Sequence, residues 1–159
     1  MTVKLHTSVS GGDRLGTKLR QIRERLQKNS GVLVGLPAGT GSYEDGAPLA
    51  VIGAVHEFGS ADGTIPERSF LRVPLRQNAE HFKKVFRAQI PKVVSGELSM
   101  HAVMVQLGGQ GVRVSTDAIE AGLSPELKES TKKRRKHGGD TPLRDSGQLV
   151  QSITFIVED

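Results

Sequence analysis

The sequence contains no cysteine and no tryptophan. Without cysteine there are no disulfides, no thiolate catalysis, no cysteine-ligated zinc and no iron–sulfur cluster. Aromatic rings are scarce, at five Phe and one Tyr in 159 residues. That argues against a base-stacking platform, which is built from aromatic side chains, and against a core dominated by large rings. No apolar run approaches the ~20 residues that span a bilayer as a helix. The opening Met1-Thr-Val-Lys-Leu-His-Thr-Ser lacks the hydrophobic stretch and cleavage site of a secretory signal. The expectation is a soluble protein, with no membrane partner, that stays where it is made unless it is built into something larger.

Catalytic patterns are missing as well. The phosphate-binding G-x-x-x-x-G-K-[ST] and the nucleophile-elbow G-x-S-x-G do not occur. Gly108-Gly-Gln-Gly111 follows no strand and is a weak nucleotide signal. His6, His56, His81, His101 and His137 are scattered. His56 and Glu57 are adjacent, but no second histidine lies at metal-ligand spacing on the same helix. The reading is non-enzymatic, with no cofactor and no metal site, and with His56 as a structural or interface histidine.

What remains suits one domain over residues 1–159. Hydrophobic residues make up 36%, and the 19 Gly bring the chain into the ordinary globular range. The net charge is +5, from 22 basic and 17 acidic residues. Such a balance fits work near nucleic acid without requiring it.

Leu15, Leu19, Ile22 and Leu26 predict an amphipathic helix over 13–29, with Asp13 as N-cap. Its basic faces are either solvated or turned to a polyanion. Residues 31–36 read as a buried strand, and 37–47 as a flexible polar loop. Tyr43, in that loop, is either a partner contact or a ring over the core edge. Residues 48–58 read as helix, with Leu49, Ile52, Val55 and Phe58 or His56 on one stripe and Gly59 as a left-handed stop. The chain is expected to stay extended as far as Pro74, then to turn helical until Pro91 interrupts it. A longer helix follows over 97–121, in which Leu98, Ala102, Val105, Leu107, Val112, Ile119 and Ala121 partly keep the period. Its GGQG predicts a kink, a break or a close contact. Ser124-Pro125 reads as a helix start. Residues 142–151 read as a turn or short helix in which Asp145-Ser-Gly147 is turn chemistry, and 152–157 as a strand.

The densest charge lies in the basic segment 128–141, with Lys132, Lys133, Arg134, Arg135 and Lys136. Three readings stand: a solvated loop, phosphate neutralisation on DNA, or docking to an acidic partner. Both this segment and loop 37–47 are expected to order on assembly.

Two stretches carry a resemblance. The first is Ala54-Val-His-Glu-Phe-Gly59 with Ile65-Pro-Glu-Arg-Ser-Phe-Leu-Arg72. The second runs from Leu123-Ser-Pro125 through Pro142-Leu-Arg-Asp-Ser-Gly-Gln-Leu149 to Ser152-Ile153. In this order they resemble the tail-completion and virion-morphogenesis proteins of long-tailed bacteriophages, over about residues 50–155. Ser146 stands where that family often has Thr, and no aromatic precedes Leu123. The resemblance implies an α+β fold: a small mixed sheet against several helices. It implies a structural protein of the virion neck or tail, made in the host cytoplasm. Its copies would form a homo-oligomeric ring, a hexamer, joining head connector to tail tube around the DNA channel. Its partners would be head-connector and tail-tube or tail-terminator proteins, with non-specific contact to packaged DNA. A tail terminator or minor tail protein is the nearest alternative, and a basic nucleic-acid-binding module the next. Interface candidates are Tyr43, His56, Glu57, Phe58, Arg68, Phe70, Leu71 and Arg72; Phe70 reads equally as an interface hot spot and as a core anchor.

Overall fold

The computed structural model of the chain describes residues 12–27, 31–43, 46–135 and 139–158. Lys136 and the tip of the 37–47 loop lie outside them. The fold is a small α+β domain. Its order is α1 Gly12–Gln27, β1 Gly31–Gly35, α2 Leu49–Phe58, α3 Arg72–Gln77, α4 Ala79–Ser95, α5 Met100–Glu120, α6 Glu129–Arg134, α7 Gln148–Gln151 and β2 Thr154–Glu158. None of the described helices is long and apolar enough to cross a membrane.

Helix α5 is the central strut. Ser99 caps it by accepting the Ala102 N–H at 3.1 Å. Its buried positions are Met100, Val103, Met104, Gly108, Gly111, Ser115 and Ile119. The small residues among them seat the sheet. A Cβ on Gly108 would lie 2.3 Å from the Phe155 ring, and one on Gly111 would lie 2.8 Å from Val34. Of the three outcomes expected of GGQG, the close contact is the one realised, and the helix runs through unbroken. The expected stripe is met in part: Ile119 is buried and Leu98, Leu107 and Val112 pack against the clusters, but Ala102 and Val105 are exposed, because the mid-helix face that turns to the sheet carries Gly108, Gly111 and Ser115.

The described sheet is two antiparallel strands, with Gly31 opposite Glu158 and Gly35 opposite Thr154. Period-two alternation sends Val32, Val34, Phe155 and Val157 toward α5. It leaves Leu33 and Ile156, a directly opposed pair, 56% and 49% exposed on the outer face.

Two apolar clusters flank this contact. One gathers Leu49, Phe70, Ile119, Leu149 and Ile153; the other gathers Val93, Met100, Val103 and Met104. Leu149 and Ile153 thus reach the core, as the turn before them suggests.

Several expectations need correction. The chain is helical from Arg72, not extended to Pro74, since a proline in the first helical turn lacks only an N–H that has no intrahelical partner. Pro91 lies inside α4. Its penalty of about 3 kcal/mol is matched in order by the roughly 1.5–3 kcal/mol gained where Val93 is fully buried two residues on. No helix starts at Ser124. The Ser124–Pro125 peptide is cis, Arg68 holds the next two carbonyls, and α6 begins at Glu129. Helix α1 rests on α4, where Arg25 Nη1 donates to the Val94 carbonyl at 2.9 Å. Its leucine stripe is nevertheless largely exposed, at 61% for Leu15 and 58% for Leu19.

The α5 glycines generate a prediction. Gly108→Ala should destabilise the protein by about 1–3 kcal/mol through overpacking on Phe155. Gly109→Ala faces open space and should be neutral or stabilising by up to about 1 kcal/mol. Chemical denaturation of the two variants measures the difference; equal effects would refute the close-contact role of Gly108.

Candidate functional site

The site residues converge on helix α2, and the reason is one carboxylate. Glu57 is 4% exposed. Its Oε1 accepts the Ser69 hydroxyl at 2.6 Å and the Arg72 N–H at 3.0 Å. Its Oε2 accepts the Phe70 N–H at 2.9 Å and the Leu71 N–H at 3.0 Å. Ser69 Oγ in turn accepts the Val73 N–H at 2.9 Å. Glu57 thus serves the amides that open α3, where a negative charge is favoured and N–H groups lack helical partners.

Backbone pairing joins the same two segments. The Arg68 N–H donates to the His56 carbonyl at 2.7 Å, and the Ser60 N–H to the Ile65 carbonyl at 2.9 Å. Between them Gly59 has φ 80° and ψ 165°. The φ is positive as expected, but ψ lies outside the left-handed helical well, in a region essentially reserved for glycine. A Cβ there would meet Glu67 N at 3.1 Å and Ile65 O at 3.2 Å. In the intervening turn, hydrogen bonds from the Ser60 hydroxyl and from the Thr64 amide and hydroxyl hold the Asp62 carboxyl at about 2.

Arg68 ties in the second motif. It is 5% exposed, and its Nε and Nη2 donate to the Pro125 and Glu126 carbonyls at 2.6 and 2.9 Å. Phe70 is fully buried in the core cluster with Leu149 and Ile153. The side chains of Glu57, Arg68 and Phe70 therefore serve the fold itself, and the core reading of Phe70 is the one the structure shows. Of the expected α2 stripe, Leu49 is buried and Ile52, Val55 and His56 are half-buried, while Phe58 turns outward and Glu57, not expected there, turns inward.

Two concavities flank α2. The first is an apolar groove of about 380 Å³ lined by Val34, Leu36, Gly53, Ala54, Phe58, Leu71, Arg72 and Leu75. Phe58 stands 63% exposed at its rim. The Arg72 guanidinium lies 5.2 Å from the Phe58 ring centroid, a cation–π distance. Arg72 also pairs with Glu67 and lies 3.7 Å from Glu57.

The second is a basic cavity of about 390 Å³. Tyr43, His56, Arg68, Arg134, Arg135 and Asp145 line it, with Leu127, Leu143 and Leu149 as apolar wall. Tyr43 also packs against the core cluster, which accords with the core-edge reading. Leu143 holds φ 64°, where leucine is rarely found. Lys132 turns instead to Glu129, at 2.9 Å, and Lys133 lies exposed on α6. The basic run is therefore divided: its two arginines reach the cavity and these two lysines do not line it. Among the described residues no cluster of His, Asp or Glu could hold a metal ion.

Sequence reasoning missed Ser69, Leu127, Thr131 and Leu143. Only Ser69 had a usable signal, a hydroxyl residue just before a helix start.

Scans against protein-family models, curated proteins and solved structures each return no match.

Burial, and secondly the charge of Arg68, push the His56 pKa below its ordinary value of 6.5. The unfolded chain then binds a proton that the folded chain refuses. The stability owed to neutral His56 is complete above the unfolded pKa and falls as pH drops through it toward the folded value. The thermal midpoint should decline between about pH 7 and pH 5, and His56→Gln should flatten that decline. An unchanged slope in the variant would remove His56 as its source.

Proposed function

We propose that this chain is a structural virion protein of a tailed phage or prophage, acting in tail completion and head–tail joining. Copies assemble into a ring, a hexamer, between head connector and tail tube, with DNA passing through the lumen. Its work is mechanical: protomer contacts and docking at the two rims.

The observation that carries this reading is the Phe58–Arg72 platform. An aromatic ring 63% exposed, topped by a guanidinium and set beside an apolar groove, has the composition of an interface anchor. Both residues belong to the H-E-F-G and I-P-x-R-x-F-L-R patterns on which the family resemblance rests. The internal bonds of those patterns also supply a physical reason for their pairing, since Glu57 of one binds the amides of the other. The exposed leucines of α1 and the Leu33–Ile156 pair add apolar surface that a ring would cover.

Native mass measurement and negative-stain microscopy of the purified protein test the proposal. Hexameric rings should form, alone or on addition of the head-connector and tail-tube proteins of its own phage, and short duplex DNA should leave them unchanged. Phe58→Asp should abolish the rings while shifting monomer stability by no more than about 0.5 kcal/mol, as for an ordinary surface change. A chain that stays monomeric with those partners, and binds duplex with a steep salt dependence, would overturn the proposal in favour of a nucleic-acid-binding module.

A further inference from the structure

Among the described residues, the lining of the basic cavity carries three arginines and one carboxylate. Arg68 is almost wholly buried and keeps its charge, as arginine does. Among the described residues it donates to the neutral carbonyls of Pro125 and Glu126. Arg135, in the same lining, donates to the carbonyls of Gly139 and Thr141 at 2.7 and 2.9 Å. Arg134 donates through Nε to the Ser130 carbonyl at 3.0 Å. Among the described residues no carboxylate forms an ion pair with any of the three arginines. Among the described lining residues Asp145 is the one acid. His56 adds a buried Nδ1 that has no hydrogen-bond partner among the described residues. The charges of Arg68 and Arg135 also act on each other, so like charges face one another in a partly desolvated space, where an anion is favoured.

The walls narrow the choice of anion. Leu127, Leu143 and Leu149 give the cavity apolar wall alongside the arginines. A nucleic-acid backbone offers phosphates along a ridge and no apolar stem to pack against such a wall. A glutamate or aspartate side chain offers a planar carboxylate, which matches the guanidinium fork, on an aliphatic stem.

We propose that this cavity is a docking site for an acidic side chain presented by a partner protein segment, its carboxylate held by Arg134 and Arg135 and its stem packed on Leu127 and Leu143. The site lies apart from the Phe58 groove and does not depend on the ring reading, so its test uses the free protein.

The test is an NMR titration of the isotope-labelled full chain with a capped Ala-Leu-Glu-Leu-Ala peptide, its Gln counterpart, inorganic phosphate and a short DNA duplex. The Glu peptide should give saturable shifts confined to His56, Thr131, Leu143 and the arginine side chains. The Gln peptide should bind at least roughly tenfold more weakly, as expected on losing a charge-assisted pair. Arg134→Gln should weaken the Glu peptide by a similar factor, and Arg134→Lys should restore part of it. Because Arg134 is exposed, these variants keep the fold, which their unperturbed spectra verify. Equal binding of the Glu and Gln peptides, indifference to Arg134→Gln, tighter binding of phosphate or duplex, or no shift at all would overturn the proposal.

Discussion

The buried carboxylate of Glu57 is the interaction on which the rest of the structure depends. Burying a carboxylate costs several kcal/mol even after relaxation. Hydrogen bonds to a charged group are worth about 1.5–3 kcal/mol each, and Glu57 accepts four, all within 3.0 Å. The bonds outweigh the burial. Geometry follows from that balance: the end of α2 is locked to the start of α3, Gly59 must make the sharp turn between them, and Phe70 is driven into the core beside Leu149 and Ile153. Arg68, two residues before Phe70, extends the lock to the Pro125 region.

With its lower residues engaged in this lock, helix α2 works as a partition. Its neighbours on one side make an apolar groove with Phe58 and Arg72 at the edge. On the other side they make a basic cavity with His56, Arg68 and the arginines of α6. One surface is suited to apolar and cation–π contact and the other to a carboxylate. A protein that must hold copies of itself on one side and a different partner on the other needs such a division, and the proposed neck role is consistent with it.

Much of the fold was legible beforehand. The α2, α5 and strand positions follow in outline from apolar spacing and from turn residues at Gly31, Pro48 and Gly59, whereas the α+β class was what the family resemblance implied. The misreadings share a cause: in each, a tertiary contact decides what local pattern cannot. The middle of the inward face of α5 is Gly108, Gly111 and Ser115, where the sheet lies on it, so a search for large apolar residues found Ile119 but placed Ala102 and Val105 on the wrong side. Pro74 sits within a helix because the first turn needs no donor, and Pro91 lies inside α4, two residues before the fully buried Val93. The candidate site was legible as motifs but not as roles. Glu57, Arg68 and Phe70 look like interface residues when counted by type, and become structural once the segment facing them is known. The basic cavity was half visible, since the 132–136 run announces charge, but the partition of that run between α6 and the cavity depends on the fold.

The central claim is that Glu57 makes the α2–α3 junction as firm as the core, so that the groove and the cavity are preformed. Hydrogen exchange at single-residue resolution tests it directly, through the amides of Phe70, Leu71 and Arg72. These open a helix of six residues, a place where fraying is ordinarily fast. The account predicts that they exchange only through global unfolding, with the protection of Val103 and Ile119 in α5, and that Glu57→Gln lowers their protection first. Rapid exchange of these three amides in the native chain, through local opening well below the global free energy, would contradict it.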